Sequence, residues 1–382
     1  MFLKISLTIL FCAGVTAPAV GQVFSTVVRK QGDDGVHTYR IPGLATSQAG
    51  TLLAVFDIRH QSAGDLPADI DVGLMRSEDH GNSWGPMTRI LDFDSSEADS
   101  RGNGVGDPAV LVDQRTGTIF VIALWSKGDR AWKGSGPGLS PEETGQLVIT
   151  QSTDDGRTWS VPRNITSSIR GRDSAWRLFF NGPGSGIQLF DGTLVFSAQY
   201  REAAGPPHSC LLFSTDGGQS WEVSSAAIPG TPPTSESQIA QTGEHSILIS
   251  MRDESRSGLR AWAEFTWTNA MSDGVWSPSW STVPCPTCMA SLIRYPKGTL
   301  IFSNPNSAKQ RIAMTIRESE DNGRTWNEGR LLDPRPSSYS CLTILKNGDV
   351  GVLYECGDKT GIETLTFARF PLNWLREGAS SK

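Results

Sequence analysis

SEDHGNSW at residues 77–84 returns as STDDGRTW at 152–159, STDGGQSW at 214–221 and SEDNGRTW at 319–326. The shared pattern is Ser-x-Asp-x-Gly-x-Ser/Thr-Trp. Five fixed positions in four copies mark an internal repeat, the feature that orders every other reading of a chain. The residue types specify a hairpin turn. Asp caps backbone amides of the turn, Gly supplies a positive φ, and Trp lays a large apolar face over the hairpin. A catalytic role for these aspartates is the poorer reading, because a reaction centre is seldom needed four times.

The copies begin 75, 62 and 105 residues apart. Between them lie short strand-like stretches at 51–56, 118–124, 146–151, 193–199, 246–251, 299–303 and 349–354. Several are entered through x-Gly-Thr-Leu, as at Asp191–Leu194 and Lys297–Leu300, which reads as a turn feeding a strand. Long helical periodicity is absent. The expectation is an all-β chain, a six-bladed β-propeller of four-stranded antiparallel blades. Sharing residues 22–382 among six blades gives about 60 each, near the shorter spacings. The 105-residue interval then hides a blade whose turn has lost the pattern. No linker or break in composition divides residues 22–382, so one domain is expected, with a closing helix or turn at 370–376.

Composition narrows the function. With 382 residues and 38% hydrophobic content the chain can bury a large core, which argues against disorder. A net charge of −6 and no long basic run exclude nucleic acid as an expected partner. Five His stand singly, without HxH or HExxH spacing, so neither a metal site nor another cofactor is expected. Residues 1–21 read as a cleavable signal peptide: Lys4, an apolar run from Ile5 to about Val15, then small residues before Gln22. That run is too short for a transmembrane segment, and the bulky Phe11 before Cys12 argues against a surface lipoprotein. A secreted or periplasmic protein follows. Five Cys remain after cleavage. Cys285 and Cys288 have redox-motif spacing without a βαβ context, and read as a local disulfide or two plain thiols.

The discriminating residues lie outside the repeats. Tyr39-Arg40-Ile41-Pro42-Gly43-Leu44 comes first, then Asp57-Ile58-Arg59 and Gly64-Asp65-Leu66. Gly106-Asp107-Pro108 follows, then Glu236 sixteen residues before Arg252. Arg311 precedes the last repeat, and Tyr339-Ser340 is followed by Leu353-Tyr354-Glu355. As an ordered set over roughly residues 23–375 this resembles the bacterial exo-sialidases (neuraminidases). The resemblance implies a glycoside hydrolase that removes terminal sialic acid, with retention, from glycoproteins, glycolipids or oligosaccharides. An intramolecular trans-sialidase is a close variant. A non-catalytic, lectin-like propeller is the alternative of another class, and it would require the loss of a catalytic group.

Each implied role has a chemical reason. Sialic acid carries a carboxylate on its anomeric carbon, and three guanidiniums, Arg40, Arg252 and Arg311, would clamp it. Arg256, Arg260 and Arg317 are the competing positions. A carboxylate nucleophile would meet that substrate charge, whereas a phenol is neutral until deprotonated. Tyr-nucleophile sialidases are a known exception among glycosidases. Tyr339 matches the nucleophile and Glu236 its base. Asp65 matches the acid that protonates the leaving oxygen and then activates water, with Asp69 and Asp71 as neighbouring candidates. By the same resemblance Arg59 and Asp107 line the sugar's hydroxyl side, and Glu355 orients Arg40. Trp125 and Trp132 are expected to wall the N-acetyl pocket or to pack within a blade. No sequence reason singles out Trp176.

Overall fold

The computed structural model describes residues 21–93, 103–202 and 205–377. The expected signal peptide lies, through residue 20, outside the described residues. Among these residues there is one α-helix, Leu372–Glu377, at the expected closing position, and the rest of the regular structure is strand with four 3-10 turns.

The repeats are turns, built four times over in the same way. In each, the Ser hydroxyl donates to Asp Oδ1 at 2.8 Å and accepts from the Gly amide at 2.8–2.9 Å. The same Asp accepts the amide of the Ser or Thr before Trp at 2.8–2.9 Å. Gly81, Gly156, Gly218 and Gly323 all have φ between 79° and 84°. They are also pressed against a neighbouring sheet. A Cβ on Gly81 would lie 2.1 Å from the Phe367 ring, and one on Gly323 2.4 Å from Leu248. Glycine is therefore required both for the turn and for the contact.

Each repeat joins the third and fourth strands of an antiparallel meander. The first meander pairs Thr38–Thr46, Leu52–Arg59, Ile70–Ser77 and Thr88–Leu91 in that order. The next runs through Val105–Val112, Ile119–Trp125, Gln146–Ser152 and Arg163–Asn164, with Gly184–Ser185 added in parallel. Two further five-stranded sheets are built on Leu178–Val223 and Thr234–Pro284. The latter fills the 105-residue interval and carries no copy of the repeat. The last sheet has seven strands because Arg330–Ile344 serves twice. Its first half pairs with Ile312–Ser319 and its second half with Val350–Cys356. The N-terminal strand Phe24–Lys30 closes the far edge of this sheet on Thr364–Phe370.

The strands are less alternating than their sequences first suggest, because both faces of each sheet are covered. Leu52, Ala54 and Phe56 enter one core cluster with Leu353 and Phe367, while Leu53 and Val55 enter another with Val110 and Val121. Successive side chains point to opposite faces, so one strand feeds two cores. The same holds onward around the chain, where Phe120 meets Leu178, Val195 meets Ile247, Leu248 meets Phe302, and Ile301 meets Val352. The first strands of successive sheets lie side by side. Thr38–Thr46 packs beside both Val105–Val112 and Arg330–Ile344, and Thr234–Gly243 beside Ser291–Arg294. Val105–Val112, Thr234–Gly243 and Arg330–Ile344 all contribute residues to one pocket.

Candidate active site

Four of these inner strands slip register near one end. The slips fall between Arg40 and Gly43, Gly106 and Ala109, Thr234 and Ser237, and Ser337 and Ser340. A bulge re-aims side chains and leaves amides without ladder partners. Ile41, Asp107, Glu236 and Tyr339 sit in the four slips. Ile41 has φ 59° and Asp107 φ 56°, a conformation that is strained for a β-branched residue such as Ile41.

Two buried carboxylates satisfy the freed amides. Glu355 accepts Ile41 N–H at 2.9 Å on Oε1 and Tyr339 N–H at 3.1 Å on Oε2. It also takes Arg40 Nε at 3.1 Å and Nη2 at 3.3 Å. Burial pushes the Glu355 carboxyl up, but Arg40 and the two amides hold it below the usual carboxylate range. Asp57 Oδ1 accepts Asp107 N–H at 2.9 Å, and its Oδ2 accepts Arg59 Nε at 3.1 Å and Nη2 at 2.8 Å.

Tyr339 is 5% exposed, with its hydroxyl turned into the pocket. That hydroxyl donates to Glu236 Oε1 and accepts Arg252 Nη1 at 3.1 Å. Arg252 Nη1 also reaches Glu236 Oε2 at 2.7 Å. Two more guanidiniums flank the phenol ring, Arg40 at 5.4 Å and Arg311 at 5.6 Å from its centroid. Burial, then the Glu236 carboxylate, push the phenol well above its ordinary pKa, against the pull of Arg252 and Arg311. It is a phenol at rest, with a carboxylate in place to take its proton. Arg311 donates only to Ser338 Oγ at 3.1 Å and Thr287 O at 2.8 Å. Among the described residues no carboxylate pairs with it, so it is a largely buried cation open to an anion.

Asp65 stands on the pocket's rim with its side chain 78% exposed. Arg59 Nη1 donates to it at 2.7 Å, and Arg40 Nη1 lies 3.6 Å away. Desolvation in the cleft raises its carboxyl, but Arg59 and Arg40 more than offset this and hold it below the ordinary range. Asp107 lines the same pocket. Burial and the neighbouring Asp57 and Asp65 push its carboxyl well up, which favours a protonated form able to donate.

The pattern of the BNR repeat-like domain matches residues 50–352. A sialidase of Bacteroides fragilis strain YCH46 is 41% identical over 347 residues, covering 86% of this chain and 62% of that protein. A sialidase of Micromonospora viridifaciens is 35% identical over 384 residues, covering 95% and 56%. The chain thus spans about three-fifths of the length of these curated relatives. Among solved structures, the Hadza microbial sialidase Hz136 is 40% identical with a TM-score of 0.84, covering 92% of this chain and 69% of that one. The chain belongs to the sialidase family.

Within this sialidase-family fold the competing positions separate by environment. Arg256 is exposed on a turn. Arg260 is buried and donates to Ser250 and to Cys288 O, and Arg317 to Asn306 and Asn327 O. None of the three stacks on the phenol ring as Arg40 and Arg311 do. Asp71 is buried on its strand, with His60 Nε2 at 2.8 Å and Arg89 Nε at 3.1 Å. His60, Asp69 and Asp71 bring their ligand atoms within 4.8 Å of one another, and Arg89 already supplies a positive charge there.

Trp132 lines the pocket, edge-on to Phe180 at 6.3 Å. Trp125 does not line it; it stacks on Phe93 at 4.7 Å and donates to Asn103. Its neighbour Leu124 lines the pocket instead, and consecutive residues of a strand cannot face the same side. Arg59 is 1% exposed and serves Asp57 and Asp65 from beneath, rather than opening to the pocket. Trp176 stacks on Tyr200 at 3.9 Å. All five described cysteines are free and buried, so Cys285 and Cys288 are plain thiols. Sequence reasoning missed Glu254 and Gln199, both in the pocket wall. It also assigned no role to Asp57. Gln199 is 1% exposed and both its amide atoms lack a partner. Glu254 and Gln199 lie in no local motif, and Asp57 enters only as the first residue of Asp57-Ile58-Arg59.

Proposed function

We propose that the protein is a secreted exo-α-sialidase that hydrolyses terminal sialic acid from glycoproteins, glycolipids or oligosaccharides with retention of configuration. The observation that carries this reading is the Tyr339 hydroxyl bonded to Glu236 among three guanidiniums. Export of residues 22–382 behind a signal peptide at 1–21, to the periplasm or medium, belongs to the same reading. So does closure of the sheets into a six-bladed propeller, which is supported by core clusters that join each sheet to the next.

The substrate carboxylate meets Arg311 first, the cation without a counter-ion, and is completed by Arg40 and Arg252. Tyr339 Oη attacks the anomeric carbon as Glu236 takes its proton, and the bond to the leaving oxygen breaks as Asp65 protonates that oxygen. Asp65 must gain a proton to do so. The bound sugar covers it from water and the substrate carboxylate counters the pull of Arg40, and both changes raise its pKa. In the second half Asp65 takes a proton from water, the water oxygen bonds to the anomeric carbon, and Tyr339 leaves with its proton returned by Glu236. Glu355 and Asp57 hold the bulges that aim these groups.

Proton NMR of 3′-sialyllactose cleavage tests the reading: α-sialic acid appears before the β anomer. A 3-fluorosialyl fluoride labels Tyr339, as seen by peptide mass spectrometry. Initial release of the β anomer, or label on Asp65 or Glu236, overturns the scheme. An anhydro-sugar product identifies the intramolecular trans-sialidase instead.

A further inference from the structure

Glu254 lines the pocket and takes no part in the scheme above. Its amide donates to Pro233 O at 3.0 Å, which fixes it beside the start of the strand Thr234–Gly243. Its Oε1 accepts Ser235 Oγ and lies 2.9 Å from Arg252 Nε, an ion pair whose N–H is not aligned as a hydrogen bond. Ser235 precedes Glu236, and Glu236 Oε2 holds Arg252 Nη1 at 2.7 Å. Ser235, Glu254, Arg252 and Glu236 therefore form a ring in which one guanidinium is shared by two carboxylates, one on its Nε edge and one at Nη1.

Resting on the sialidase reading, we propose that Glu254 is a positioning residue that keeps Arg252 from closing on Glu236 and so keeps Glu236 a competent base for Tyr339. An unshared guanidinium engages a carboxylate through two parallel N–H groups. On Glu236 that geometry occupies both oxygens, displaces the Tyr339 hydrogen bond from Oε1 and weakens the carboxylate as a proton acceptor. Glu254, ion-paired at Nε on the opposite edge, anchors the guanidinium against the rotation that would bring Nη2 as well as Nη1 onto Glu236. It also adds negative charge to a pocket that must admit an anion, so it favours the chemical step and opposes ground-state binding. An interaction of that kind appears in kcat and leaves KM unraised.

Glu254→Gln keeps the shape and removes the charge, whereas Glu254→Ala removes both. With 3′-sialyllactose, Glu254→Gln is expected to lower kcat by about tenfold, the loss of one charge-assisted contact, and Glu254→Ala by more. KM stays level or falls, and an unsaturated sialic acid analogue binds as well or better. Melting temperature identifies any variant that fails to fold, in which case Glu254→Gln carries the test. Wild-type kcat in the folded variants, or a raised KM at unchanged kcat, overturns the proposal; the second outcome would make Glu254 a substrate contact. A crystal structure of Glu254→Ala adds a measure independent of activity. Arg252 should lie bidentate on Glu236, and an unmoved Arg252 overturns the proposal. Failure of the sialidase reading shows separately, as a wild-type protein that releases no sialic acid.

Discussion

Arg311 and Asp65 are two charges prepared for opposite events. Arg311 has no counter-ion among the described residues, so an incoming carboxylate gains from it without displacing another acid. Arg311→Ala should lower kcat/KM by about 1.5–3 kcal/mol, the range for hydrogen bonds to charged groups. Arg311→Lys should recover part of this, since an ammonium cannot reproduce the fork. Steady-state kinetics at fixed salt decides it, and near wild-type kcat/KM in Arg311→Ala removes it from the clamp. In the proposed scheme Asp65 acts on the leaving oxygen, so its importance depends on the leaving group. Asp65→Ala should slow sialyllactose far more than 4-methylumbelliferyl sialoside, whose phenolate leaves unaided. With Tyr339 as the proposed nucleophile, Tyr339→Phe should slow both severely, because no leaving group replaces the attacking oxygen. Equal losses on the two substrates in Asp65→Ala would move the acid elsewhere.

At the scale of the element, the repeat turns and the bulges divide the work. The turns lie where third strand meets fourth, and their glycines press on a neighbouring sheet. Trp221 is 1% exposed, packed against Phe196 at 5.6 Å, whereas Trp159 is only half-buried. Trp221→Ala should destabilise by about 3–5 kcal/mol, and Trp159→Ala by less, as read in denaturant unfolding. The folded fraction of each should keep its kcat. Full stability with lost activity would make the turns part of the chemistry. The bulges do the opposite work, since they sacrifice ladder bonds to aim Glu236 and Tyr339.

Across the whole molecule the buried and capped carboxylates pull stability in opposite directions with pH. Asp79 and Asp216 are held down to about 2, where hydrogen bonds from the turn outweigh desolvation; Glu355 is also lowered. Such groups contribute stability above the unfolded value, about 3.9 for Asp, and lose it as pH falls through the folded value. Burial raises Asp57 and Asp71 to about 6. For these the folded state holds the proton more tightly, so stability is lost as pH rises from about 4 through 6. The melting temperature should therefore peak near pH 4 and decline toward about pH 6. A steady rise from pH 4 to 8 would show that Asp57 and Asp71 are not raised. The sequence by itself determined the all-β class, the four turns, and the order of Arg40, Asp65, Glu236, Arg252, Arg311 and Tyr339, because turn chemistry and motif order are local. It could not separate Trp125 from Trp132, show Arg59 beneath Asp65, or reveal Asp57, Gln199 and Glu254. Those depend on which face of a strand points inward and on which bulge a distant carboxylate can reach. Only the packing of the sheets against one another decides either.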